Sequence, residues 1–141
     1  MRNVWCFLLL ALSMACNKDD DPDKFSSING YWIVRTPDDA TEVTFRVSQN
    51  TDGEYLIDNV IVRHAGATYD TKPIDAEITV LSATEIESIT LVNSSTQVPF
   101  FVIRFQEVSV NGAFTEMLIN ISSFNIDGVF RQFSPVTGGR D

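Results

Sequence analysis

VPFFVIRFQEVSVNGAFTEMLINISSF, residues 98 to 124, decides the fold. Apolar and polar side chains alternate on both sides of Asn111-Gly112, and a period of two interrupted by a turn dipeptide predicts a β-hairpin. The pairing follows from what each register would bury. A two-residue loop sets Glu107 opposite Glu116 and Ile103 opposite Asn120, which mismatches the apolar faces. A three-residue loop, Asn111 to Ala113, instead sets Phe105 opposite Ile119 and Ile103 opposite Ile121, with Arg104 meeting Asn120 on the other face. Because a slip of one residue inverts every side chain, burial selects the second register. Arg104, Gln106 and Glu116 then point to solvent.

The same period extends outward along the chain. Val43, Phe45 and Val47 alternate with Thr44, Arg46 and Ser48, and QNTDGEY then supplies a turn. Tyr55 to Val62 continues as a strand with a bulge expected at Asp58-Asn59. Ile74 to Val80 alternates cleanly, and Ile86 to Val92 makes another strand. Pro73, Ser94-Ser95, Pro99, Asn111-Gly112 and Asp127-Gly128 punctuate about eight or nine short strands. No helical repeat persists after the first residues, and no solenoid repeat is present. Residues 25–141 are therefore expected to form one antiparallel all-β domain, large enough for a real core and too small for two.

Near the start of that domain, INGYWIV places Gly30, Tyr31 and Trp32 in a Gly-x-Trp spacing. This resembles the entry strand of lipocalins and of small lipocalin-like lipoproteins, and TEVTFRVSQNTDGEY is similar to the second hairpin of that group. The resemblance covers about a third of the chain. It implies a single antiparallel barrel of about eight strands, with Trp32 plugging one end and an arginine of the last strand, Arg131 in VFRQF, stacked on the ring. A β-sandwich is the alternative architecture. In a barrel, Phe45, Phe101, Phe105, Phe124 and Phe130 are candidates to line an apolar ligand pocket; in a sandwich they are core.

The N-terminus gives an address. Arg2 followed by the apolar run Val4 to Leu12 and then Ser13-Met14-Ala15 has the form of a secretory signal peptide, residues 1–15, too short to span a bilayer as a helix. Ser13 to Cys16 resembles the bacterial lipobox, which implies acylation of Cys16 and anchoring of the mature chain in a membrane. Residues 16–24 carry nothing apolar to bury and read as a solvated acidic tether. Lys18, Asp19, Asp20 and Asp21 behind that cysteine resemble the export signal of surface lipoproteins of Bacteroidota. The expected location is the outer membrane, facing the cell surface.

Charge and chemistry narrow the function classes. The chain has 10 Lys+Arg and 19 Asp+Glu, net −9, and such a surface repels nucleic acid. No cysteine follows Cys16, so the domain is held by packing alone. His64 is the single histidine, SQNTDGE holds only a fragment of a calcium loop, and there is no nucleophile elbow. Glu85 and Glu87 share a strand face as solubilising charge. No metal, no cofactor and no enzymatic activity are expected. Two functions follow: binding of a small apolar or amphipathic ligand inside a barrel, or a packed surface module that engages a glycan, peptide or envelope protein through exposed residues such as Tyr31, Tyr55, Tyr69 or Trp32.

Overall fold

The computed structural model describes residues 27–69, 74–93, 101–126 and 128–140. Cys16, Lys18, Asp19, Asp20 and Asp21 lie outside the described residues, as do the signal segment and the tether. Nine antiparallel strands form one sheet: β1 (Gly30–Arg35), β2 (Thr41–Gln49), β3 (Tyr55–His64), β4 (Ala67–Tyr69), β5 (Ile74–Val80), β6 (Glu85–Asn93), β7 (Phe101–Val110), β8 (Glu116–Asn125) and β9 (Phe130–Arg140). A single sheet replaces the sandwich alternative, and the strand number is nine where about eight were expected. The added member is β4, three residues folded back on Val62, Arg63 and His64 of β3.

The spatial order is β4-β3-β2-β1-β9-β8-β7-β6-β5. Two meanders are joined where the first strand pairs with the last, Trp32 to Val34 against Arg140 to Gly138. Consecutive strands β4 and β5 thus occupy opposite edges, yet only residues 70–73 separate them. Five peptide steps reach at most about 18 Å, so the sheet must curl until its edges approach. Indeed β3 and β5 come within 8 Å of each other between Cα atoms, although no ladder joins them among the described residues. The result is a curled, barrel-like sheet with an unladdered seam.

Alternation fills the interior. Trp32, Val34, Val43, Phe45, Val47, Ile89, Leu91, Ile103, Phe105, Ile119 and Ile121 are all buried on the inner face. Rings meet across it: Phe45 of β2 and Phe105 of β7 have centroids 6.0 Å apart, and Tyr69 of β4 meets Phe101 of β7 edge-on at 5.9 Å. The faces expected for the β7–β8 hairpin are the observed ones, but its register differs. Phe105 pairs with Ile121, Ile103 with Phe124, and Arg104 with Ser123. The turn is longer than three residues. Asn111 Oδ1 accepts from the Thr115 and Glu116 amides at 2.9 and 3.3 Å, and this lets Phe114 pack its ring against the core. The displacement from the expected pairing is two residues at Phe105 and three at Ile103 and Arg104; bulges between Arg104 and Phe105 and between Gln106 and Ser109 absorb the odd residue and keep the inward side chains on their face, which the burial pattern alone does not reveal. The bulge expected at Asp58-Asn59 is present, with Asn59 at φ 49° and the β2–β3 register shifting between Thr44 and Arg46.

Candidate functional site

The two ends of the curled sheet are built differently. At one end Trp32 is fully buried, and its indole Nε1 donates to the Ile28 carbonyl at 2.9 Å. The cation over its ring is Arg140, with Cζ 5.2 Å from the ring centroid. Arg131 does not take that position. It pairs with Phe124, nine residues and roughly 30 Å of strand away from Arg140. The arginine does come from the last strand, but from its C-terminal end. Arg140 also donates through Nη1 to the carbonyls of Ser27 at 2.8 Å and Phe114 at 3.1 Å, and through Nη2 to that of Asn29. Burial lowers its pKa from the usual guanidinium range. The Gly-x-Trp spacing now has a steric cause: Gly30 sits at φ 134°, and a Cβ there would lie 2.5 Å from Arg140 Nη2. Only a residue without a side chain lets the guanidinium cross the strand to reach the indole.

At the opposite end polar groups enter the interior. Thr41 is buried and its Oγ1 lies 2.7 Å from His64 Nδ1. The His64 ring is 6.2 Å from Phe124, which in turn meets Phe133 edge-on at 6.1 Å. Asn93, also buried, stands at the level of Phe101 and Ile74. Thr41 and His64 therefore meet beside an otherwise aromatic end, with Asn93 on β6 beside Phe101. The inward parity of His64 follows from the bulge at Asn59, which reverses the alternation of β3.

The seam is the second distinguishing feature. Tyr55, Ile57 and Val60 of β3 and Ile74, Ala76, Ile78 and Val80 of β5 pack against the core while staying only half-buried. Among the phenylalanines proposed to line a pocket, Phe45, Phe101, Phe105 and Phe124 are brought together inside, with no more than 1% of their surface exposed. Phe130 is a correction: it begins β9 beside the Asn125–Gly128 turn and is 59% exposed. Of the inward apolar side chains, those along β3 and β5 keep some exposed surface, whereas the Phe45–Phe105 pairing has none. A separate shallow cleft of about 220 Å³ lies on the outside near Ser109, Glu116, Leu118 and Thr137.

The outer face of β1, β2 and β3 carries an ordered set of polar and aromatic groups. Glu42 accepts from Arg35 Nε at 2.9 Å through Oε2 and from Arg63 Nη1 through Oε1. Burial raises its pKa, but the two guanidinium groups outweigh that and hold it below the ordinary glutamate value. Along the strands, Arg46 binds Asp58 with two parallel hydrogen bonds of 2.7 and 2.8 Å, and its guanidinium lies 5.9 Å from the Tyr31 ring centroid. Asn59 donates to the Tyr31 hydroxyl at 3.1 Å. Arg46 holds Asp58 below the ordinary aspartate value, with Ser48 adding a hydrogen bond. Among the described residues no group of three His, Cys, Asp or Glu stands close enough to hold a metal ion.

Comparison with protein-family models, with curated proteins and with solved structures returns no match.

Proposed function

We propose that this chain is a lipid-anchored envelope protein whose barrel-like domain takes up a small apolar or amphipathic molecule along the β3–β5 seam. The observation that carries the reading is the half-buried apolar strip from Tyr55 to Val60 and from Ile74 to Val80, in a sheet whose other inward positions are largely buried. Apolar surface left accessible beside an unpaired strand edge is what an acyl chain or a flat hydrophobic ring covers favourably, at about 25 cal/mol per Å² removed from water. The barrel-like curl and the Gly30, Trp32 and Arg140 arrangement support likeness to the lipocalin group.

Anchoring rests on the sequence around Cys16, and outward display on Lys18 and Asp19 to Asp21. Acylation at Cys16 would hold the domain at the membrane, where amphiphiles are plentiful. Replacing Cys16 with serine should release the protein into the soluble fraction and abolish labelling by a fatty-acid probe; retention of both the label and the membrane association would remove the anchor reading. Ligand uptake is tested by native mass spectrometry of the full chain, extracted gently from its own host, against the same sample denatured. An extra mass lost on denaturation supports a carried molecule. The bare chain mass in both would contradict it.

A further inference from the structure

We infer that Asn111, which opens the turn between β7 and β8, is a site of spontaneous deamidation whose isoaspartyl product unfastens the Trp32 end of the domain. Ring closure in this reaction joins the backbone nitrogen of the following residue to the asparagine Cγ. It needs an unhindered nitrogen, an electrophilic side-chain carbonyl and room to move, and three asparagines at the Trp32 end separate these requirements. Asn29 precedes Gly30, but Gly30 lies in the ladder opposite Val47 with the Arg140 guanidinium against it, and among the described residues Asn29 Oδ1 accepts no hydrogen bond. Asn50 has the polarised carbonyl, its Oδ1 accepting from the Asp52 and Glu54 amides at 3.0 and 2.9 Å. Thr51 follows it, however, and a branched Cβ crowds the nitrogen that must attack.

Asn111 combines what the other two divide. Its Oδ1 accepts from the Thr115 and Glu116 amides at 2.9 and 3.3 Å, which draw electrons from Cγ and stabilise the oxyanion formed on attack. Its Nδ2 donates to Thr115 Oγ1 at 2.9 Å, which fixes the amide in that orientation. The residue that follows is Gly112. Both residues are exposed, a Cβ on Gly112 would meet nothing within 4 Å, and among the described residues no hydrogen bond holds the Gly112 N–H. Hydroxide takes that proton, the nitrogen's electron pair forms a bond to Cγ, and the Cγ–Nδ2 bond breaks, releasing ammonia with a proton from water. Water then opens the cyclic imide. Attack at Cγ leaves an aspartate in the original chain; attack at the main-chain carbonyl leaves the chain running through Cβ and Cγ, longer by one methylene. In that second product the oxygen that accepts from the Phe114 amide becomes a free carboxylate, and the one that accepts from Thr115 and Glu116 becomes the peptide oxygen. The turn cannot keep both sets of bonds. Phe114 packs on the core from this turn, its carbonyl accepts from Arg140 Nη1, and the Thr115 carbonyl accepts from the Arg140 amide, each at 3.1 Å. Rerouting the main chain here loosens what holds Arg140 over Trp32.

The test incubates the purified full chain in mildly alkaline buffer and follows each asparagine by peptide mass spectrometry, with isoaspartate counted by methyl transfer from an isoaspartyl methyltransferase. Asn111 should convert at least about tenfold faster than Asn29 or Asn50, with isoaspartate among its products. Gly112→Ala, for which the open space at that residue leaves room, should slow the conversion at least about tenfold. In the aged wild type the amides of Trp32 to Val34 and of Gly138 to Arg140 should exchange with solvent at least about tenfold faster than in the fresh protein, whereas aged Gly112→Ala and fresh Asn111→Asp should keep the slow rates. The comparison among the three asparagines stands on the wild type alone should a variant fail to fold. Conversion of Asn29 or Asn50 as fast as Asn111, undiminished conversion in a folded Gly112→Ala, an aspartyl product alone, or unchanged exchange in the aged chain would each overturn the inference.

Discussion

The Trp32 end and the β3–β5 seam are made from the same kind of sequence, alternating strands with large inward side chains, and they finish differently. At Trp32 the first and last strands meet through a ladder, an indole hydrogen bond and a guanidinium that binds three backbone carbonyls. At the seam two strands approach without a ladder, and their inward side chains stay half-exposed. The difference lies in what closes each gap. Gly30 admits Arg140 and Gly138 lets β1 and β9 come together: a Cβ on Gly138 would stand 3.0 Å from Val34 Cγ2 and 3.2 Å from Ile119 Cδ1. Among the described residues nothing comparable draws β5 onto β3. A fold of this kind concentrates its stability at one end and leaves the other able to change.

Substitutions at the sealed end should have the largest effect. Trp32→Ala removes a fully buried ring and should cost about 3 to 5 kcal/mol, read as a lowered denaturant midpoint. Arg140→Ala leaves the carbonyls of Ser27, Asn29 and Phe114 short of a donor and the indole without its cation, about 2 to 4 kcal/mol. Arg131→Ala at the other end of the same strand should stay within about 0.5 to 1 kcal/mol. Equal losses at the two arginines would break the contrast between the two ends.

At the seam, Ile57→Ala or Ile78→Ala should cost only about 1 kcal/mol, because each side chain is already half in solvent. These variants should nonetheless weaken uptake of a fluorescent fatty acid, which Trp32-end variants that still fold should retain. The smallest effect is expected on the outer face. Glu42 and Asp58 have pKa values below their ordinary ones in the fold, so their contribution is present above the ordinary carboxylate range and is lost as pH falls through the lowered values. Exposed pairs of this kind give less than about 1 kcal/mol. Thermal melts of wild type and Arg63→Gln should therefore differ slightly at pH 7 and converge in strong acid; divergence on acidification would contradict that sign.

Strand existence and facing were legible in the sequence because period two is a local property. Val43, Phe45 and Val47 on one side, and Thr44, Arg46 and Ser48 on the other, needed no partner to be assigned. Pairing was less legible. The β7–β8 register is displaced by two to three residues, with bulges that keep the inward faces, so alternation does not fix it and the packing of Phe114 and the Asn111 turn do. The arginine over Trp32 was misassigned for a similar reason: VFRQF looks like a strand, whereas VTGGR has too few side chains to show alternation, and the glycine that admits Arg140 is Gly30, at the other end of the chain. The contact of His64 with Thr41 was not legible, because it depends on the β2–β3 register that sets Thr41 opposite His64. The seam has no local signature, since it arises from curling, while the shared use of Glu42 by Arg35 and Arg63 depends on the registers of two successive hairpins, which set Glu42 opposite both arginines.

The central claim is that the domain is sealed at Trp32 and loosely joined between β3 and β5. Native-state amide hydrogen exchange measures this directly. Amides of Trp32 to Val34 and of Gly138 to Arg140 should exchange only through global unfolding, while those of Ile74 to Val80 exchange through a smaller opening, at rates at least about a hundredfold faster, and slow when a fatty acid is added. Uniform protection across β1, β9 and β5, unchanged by added fatty acid, would contradict the account.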